Sequence, residues 1–271
     1  MLKVQHRMRP YISDFIRRQT YPALIDHPSV AAFKDVKGVA LNVAFITHEN
    51  PEKGGDTTHR ESKTKSNVWE ADMCVEMIRY LLLQGYRHDQ ITVLTPYVGQ
   101  VIKILQVMRT RMKDTSAYVS ELDRQEILDG VEEGGDIDLS STEERKAIRC
   151  SSIDNFQGEE SDIIVVSLVR SNANGIIGFL AEEQRVNVLL SRAKIGLYIV
   201  GNSITLKRSA KGAHVWNPII DTLKKDGALL AGFPTICQLH PKDAVVKITD
   251  HKRFRELCPN GKWKRTAEAK Q

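Results

Sequence analysis

The side chains best suited to chemistry crowd into one stretch, SIDNFQGEESDIIVVSLVR at 152–170. Asp154, Gln157, Gly158, Glu159 and Glu160 fall in a polar turn, followed by a nearly continuous Ile, Val and Leu run from Ile163 to Val169. Such a run suits a strand buried on both faces of a parallel sheet. Polar groups at the end of a core strand are where an open α/β sheet places a ligand. The adjacent carboxylates Glu159 and Glu160 invite a general acid and base reading. Glycoside hydrolysis, however, needs its two carboxylates on opposite sides of one bond. Chain neighbours rarely flank a site that way, so the turn is expected to bind and not to transfer protons.

Around this turn the chain alternates between two periods. Pro10 opens a helical pattern with Tyr11, Ile12, Phe15 and Ile16 on one face. Residues 39–46 read as a strand, and 47–66 as a long polar, Gly-containing loop. Asn67 followed by Glu70 resembles a capping box ahead of a helix carrying Val68, Ala71, Val75, Ile78 and Leu82, closed by Gly85. Strand 91–95 runs into a turn holding Thr95, Tyr97 and Gln100, then a helix with Val101, Ile104, Leu105 and Met108. Tyr97 reads equally well as a packed core aromatic. Residues 110–146 are acidic and weakly periodic and read as an excursion. Strands 147–152 and 162–169, helix 181–194, strand 196–201 and helix 215–226 complete the pattern. This order implies an α/β fold with a mostly parallel sheet.

Composition narrows the setting. Of 271 residues, 41% are hydrophobic and 27% charged, ordinary for a globular chain, and the net charge of +5 permits nucleic-acid binding without requiring it. No apolar run reaches the about 20 residues that a membrane helix needs. The first residues lack an apolar signal core, so a cytoplasmic or nuclear, intracellular setting with no membrane partner is expected. Cys74 and Cys150 lie in core patterns. Cys237 and His240 have Cys-x-x-His spacing, with Cys258 beyond, but a second close pair is missing, so no metal site is assigned.

Four stretches stand in order: VQHRMRP at 4–10, VLTPYVGQ at 93–100, SIDNFQGEESDIIVVSLVRSN at 152–172 and RVNVLLSRAK at 185–194. Together they resemble the C-terminal RecA-like domain of superfamily-1 helicases, closest to the nonsense-mediated-decay and senataxin branch. GFPTICQLHP at 232–241 is similar to members that continue into cysteine-rich zinc fingers. The resemblance implies a RecA-like, P-loop NTPase-type three-layer domain over 1–205, with a flexible acidic insertion at about 112–146 and a C-terminal helix and poorly determined extension over 206–271. It implies that Arg7 and Arg192 are arginines stabilising charge on a transferring phosphoryl. On composition alone, Arg7 and Arg9 read as surface charges. Gly158 and Glu160 would lie against the nucleotide and its ribose, with Gln157 relaying nucleotide state. His6 stands where many relatives carry tyrosine beside the adenine. Thr95, Tyr97, Gln100, Ser152, Asp154 and Arg170 would contact single-stranded RNA or DNA, or couple it to the nucleotide, across the top of the sheet. ATP and Mg²⁺ would be the cofactors, held mainly by a partner N-terminal RecA-like domain.

No G-x-x-x-x-G-K-[ST] occurs, and no apolar strand ends in an Asp-Glu pair; the acids of EESDIIVV precede their strand. The expected role is therefore the second motor domain of a helicase, separated from its P-loop half. A nucleic-acid-binding or scaffold module that retains the fold is the alternative. A Rossmann-type cofactor enzyme fails for want of G-x-G-x-x-G after the first strand. The purified chain is expected to release phosphate from ATP no faster than buffer, with or without oligonucleotide. Steady-state turnover by the isolated chain would contradict this.

Overall fold

The computed structural model describes residues 3–53, 65–112, 115–130, 147–237, 245–258 and 262–263. A small parallel pair, β1 (Val4–Gln5) with β2 (Ile25–Asp26), flanks α1 (Pro10–Gln19), and α2 (Pro28–Ala31) follows. Then come β3 (Val43–Thr47), α3 (Val68–Leu83), β4 (Ile91–Thr95), α4 (Val98–Arg111), β5 (Ser116–Tyr118), α5 (Glu121–Gly130), β6 (Ala147–Ser152) and β7 (Ser161–Ser167). The described chain continues through α6 (Glu183–Leu190), β8 (Ala193–Gly201), α7 (Ser203–Arg208), α8 (Ala213–Lys225), β9 (Leu229–Leu230), β10 (Phe233–Thr235) and β11 (Val246–Ile248).

Seven strands form one sheet in the order β5, β6, β4, β7, β8, β3, β9, every pairing parallel. Alternate side chains along each central strand enter different cores, as the pleat requires. On β7, Ile163 and Val165 pack beneath α3 and α4, while Ile164 and Val166 pack beneath α1, α6 and α8. β8 divides likewise, with Tyr198 and Val200 on one side and Leu197 and Ile199 on the other. This is the three-layer α/β arrangement of a RecA-like domain.

The elements differ from the sequence reading where long-range contacts overrule local pattern. Val39 does not begin a strand with β3; it bridges Thr235. The helix read over 181–194 is only α6, and the chain is already extended at Ala193, because Arg9 takes the backbone there. Its amide donates to Lys194 O at 2.9 Å and its Nη1 to Ile195 O at 2.6 Å. Arg9 is therefore buried and structural, not a surface charge. The C-terminal extension is also more ordered than its pattern suggests. Phe233, Ile248 and Phe254 join the core against α3, where Tyr80 meets Phe233 edge-on with centroids 6.0 Å apart. Three isolated apolar residues carry no period, so their partner was invisible in the sequence. Cys237 is buried; His240 and the Cys258 side chain lie outside the described residues.

Part of the acidic excursion is built structure. β5 adds an edge strand beside β6, and α5 follows it. Its anchor is Asp123, 1% exposed. The carboxylate accepts from Ser120 Oγ at 2.8 Å, Ser151 Oγ at 2.6 Å, the Ser152 amide at 2.9 Å and Asn155 Nδ2 at 2.9 Å. A buried carboxylate is tolerated when several donors replace its water. Residues 131–146 of the excursion lie outside the described residues. Removing the acceptor in Asp123→Ala orphans those donors, and the expected loss is about 2–3 kcal/mol, read by urea unfolding. A change below about 0.5 kcal/mol, the range of surface substitutions, would show that Asp123 is not the anchor.

Candidate functional site

The residues singled out in the sequence separate onto two opposite edges of the sheet. His6, Arg7, Gly158, Glu160 and Arg192 gather at the N-terminal ends of β7 and β8. Thr95, Tyr97, Gln100, Ser152 and Arg170 sit at the C-terminal ends of β4, β6 and β7. The usual rule for open parallel sheets places ligands only at the second edge. The stretch 152–170 reaches both, because it leaves β6 at one edge, crosses to enter β7 at the other, and returns along β7.

At the first edge, three cations surround one exposed carboxylate. Arg7 Nε donates to Glu160 Oε2 at 2.6 Å, and Lys194 Nζ to Glu160 Oε1 at 2.8 Å. These hydrogen bonds, Lys194 first and then Arg7, hold the Glu160 carboxyl below its ordinary range. Arg7 Nη1 also reaches Ser191 O at 3.3 Å. Arg192 is 9% exposed and tied to backbone, its Nε donating to Val188 O and its Nη1 to Glu159 O, both at 3.1 Å. Burial, and next the nearby charge of Arg7, pull its guanidinium below the ordinary value. Gly158 has φ +88, so a glycine suits this turn, and no neighbouring atom would meet a Cβ there. Glu159 does not line the cluster with its side chain, which pairs with Arg149 Nη2 at 2.8 Å. Gln157 is exposed.

The Arg7 turn is built by a side chain that the sequence reading passed over. Gln5 Oε1 accepts from the amides of Arg7 at 2.9 Å and Met8 at 2.7 Å, while its Nε2 donates to Met8 O at 2.7 Å and Asp26 Oδ1 at 2.8 Å. Burial pushes the Asp26 carboxyl up, but hydrogen bonds from Gln5, Ser13 and Arg17 outweigh it and the net shift is downward. Lys194 was missed as well, since its position read as the end of a helix. Its place two residues beyond Arg192 was the available signal.

At the opposite edge the side chains turn inward. Gln100 is fully buried, its Oε1 accepting from the Asn67 amide and its Nε2 donating to Asn67 O and Ser167 Oγ. Tyr97 is 2% exposed, donates to Ile177 O at 3.2 Å, and has its phenol pushed up, chiefly by burial. Arg170 is buried against Glu52 at 2.6 Å. Ser152 is held by Asp123, and Thr95 is 1% exposed. Asp154 alone of this group is exposed, paired with Arg185 at 2.8 Å.

Behind this edge lies Glu70, expected in a capping box. Asn67 does cap α3, accepting from the Glu70 amide at 3.1 Å. The Glu70 carboxylate, however, turns inward to His48 Nε2 at 3.0 Å, Ser167 Oγ at 2.6 Å and the Val169 amide at 2.8 Å. It thereby fixes a γ-turn in which the Arg170 amide donates to Leu168 O at 2.8 Å and Val169 adopts φ +72. A β-branched residue at positive φ is strained by roughly 1–3 kcal/mol and persists only when over-determined by its surroundings.

Known proteins resemble this chain over most of its length. A family model described as an AAA domain matches residues 1–204. The mouse (Mus musculus) NFX1-type zinc finger-containing protein 1 is 35% identical over 257 residues, covering 94% of this chain and 11% of that protein. The ATP-dependent helicase NAM7 of Saccharomyces cerevisiae is 30% identical over 237 residues, 85% of this chain and 21% of that one. The helicase required for RNAi-mediated heterochromatin assembly 1 of Schizosaccharomyces pombe is 29% identical, covering 92% and 21%. The chain thus spans between 11% and 21% of the length of these relatives.

Because Glu160 is held ionised, its grip on Arg7 contributes fully above the ordinary carboxylate range and is lost as pH falls through the depressed value. The Arg7 Nε–H resonance is therefore expected to stay constant from pH 7 to 5 and to move only in stronger acid. Movement centred near pH 6 would contradict the pairing.

Proposed function

The chain belongs to the AAA domain family, as a superfamily-1 helicase domain of the nonsense-mediated-decay and senataxin type, and we propose that it is the second motor half of an ATP-dependent helicase. One observation carries this reading: Arg7, Arg192 and Lys194 converge with Glu160 on a single edge. A binding module has no need of two arginines there, whereas phosphoryl transfer does. ATP supplies the phosphoryl group, and its phosphates and Mg²⁺ would be held mainly by a Walker A half joined to this domain. Within this chain, Arg7 and Arg192 direct guanidinium donors at the charge that grows on the phosphoryl oxygens. Backbone bonds to Val188 O and Glu159 O pre-set Arg192, so little reorganisation is needed. Glu160 accepts from the ribose hydroxyls, and in their absence it holds Arg7.

Single-stranded RNA or DNA would lie along the opposite edge. Tyr97, Gln100 and Arg170 are buried, so their part is to shape the backbone that meets the strand, with Asp154 and the loop tips in contact. Movement between edges would pass through β7 and the 153–160 crossover, with Gln157 on the nucleotide side.

The test uses a polypeptide joining a Walker A half to this chain. Arg7→Lys and Arg192→Lys are each expected to lower kcat for nucleic-acid-stimulated ATP hydrolysis by about 10³-fold, with KM little changed. If both variants turn over at the parental rate, the arginines are structural and the scaffold reading replaces this one.

A further inference from the structure

The exposed His6 ring does not stand alone. It stacks on His27 with centroids 4.0 Å apart and an interplanar angle of 29°. His27 is itself locked in place. Its amide donates to Gln5 O at 2.9 Å, and its Nδ1 accepts from the Ser29 amide at 3.2 Å and meets Ser29 Oγ at 2.8 Å, capping α2. One face of His6 is thus covered, and the residue also lines a recess of ≈ 370 Å³ together with Gln5, Arg7, Met8 and Glu160. The Gln5 and Glu160 side chains of that lining are already committed. Both ends of the Gln5 amide are engaged with Met8, Arg7 and Asp26, and Glu160 is engaged with Arg7 and Lys194. The recess therefore offers a flat ring and an ion pair, with no free side-chain amide aimed at the edge of a base.

We propose that His27 is a positioning residue for nucleobase binding: it backs His6 so that the outer imidazole face stacks on a purine, and this wall selects by ring size without distinguishing adenine from guanine. The inference rests on the nucleotide reading of Arg7 and Glu160. An unsupported surface histidine samples several rotamers and loses that freedom on stacking, whereas a backed ring has lost it beforehand. Stacking scales with overlap, so two fused rings gain more than one. Recognition of one purine over another needs hydrogen bonds to the base edge, and the side-chain amide of this lining, Gln5, is already engaged.

The experiment follows the imidazole C–H and arginine Nε–H resonances of the full chain during titration with AMP, GMP, UMP and inorganic triphosphate. AMP and GMP are expected to shift His6 and His27 with affinities within about threefold of each other, and UMP to bind about fivefold more weakly. His27→Asn keeps a helix cap without a ring and is expected to weaken both purines about threefold, while His27→Phe keeps a ring without the cap and restores them. Overturning results are His27→Asn binding like the parent, His27→Phe binding as weakly as His27→Asn, or AMP and GMP differing more than tenfold. If Arg7 and Arg192 respond to AMP or triphosphate while both histidines stay silent, this inference falls and the nucleotide reading stands. If the arginines ignore every ligand, the nucleotide reading itself falls.

Discussion

β7 is the middle strand of seven and is buried on both faces. A parallel strand so placed can be entered only at one edge of the sheet and left only at the other. Its flanking turns therefore belong to opposite ends of the molecule while sharing one rigid, hydrogen-bonded segment. Gly158 and Glu160 precede it on the arginine edge; Leu168 to Arg170 follow it on the edge of Thr95 and Tyr97. Ile163 to Val166 between them are fully buried, and close-packed interiors of this kind have low compressibility.

Buried polar groups fix what lies beyond the strand. Glu70 grips Ser167 and Val169, Gln100 ties α4 to Asn67 and Ser167, Asp123 holds the start of the crossover, and Glu52 pairs with Arg170. Each is costly to leave unsatisfied in a low-dielectric interior, so each specifies one loop geometry strongly. The γ-turn at Val169 shows the result, since the backbone is held in a strained region by groups on α3.

The opposite edge follows different physics. Arg192 is buried there, but Arg7, Glu160 and Lys194 are partly exposed, and their pairings exchange more readily in high dielectric. Glu160 can release Arg7 without leaving a buried charge unpaired, whereas Arg170 cannot leave Glu52 so cheaply. The exposed edge thus suits groups that change partners during a reaction cycle, and the buried edge suits groups that keep a surface in shape.

Much was legible from residue order. The nearly continuous apolar run at 163–169, the periodic helices and the Gly85 stop follow from local pattern, which is why the α/β class was readable. The ordered motifs that bring Arg7, Glu160 and Arg192 into question, and the missing Walker A, are also properties of the sequence. Tertiary structure alone decided that Tyr97, Gln100 and Arg170 turn inward, that Glu70 abandons its capping box for Val169, that Asp123 anchors the crossover, and that His27 backs His6. These contacts join residues as far as 118 positions apart, as with Glu52 and Arg170, and 21 apart for His6 and His27. Periodicity reports which face of one element is apolar. It carries no information about which distant element a polar side chain will meet, and that meeting depends on the assembled sheet.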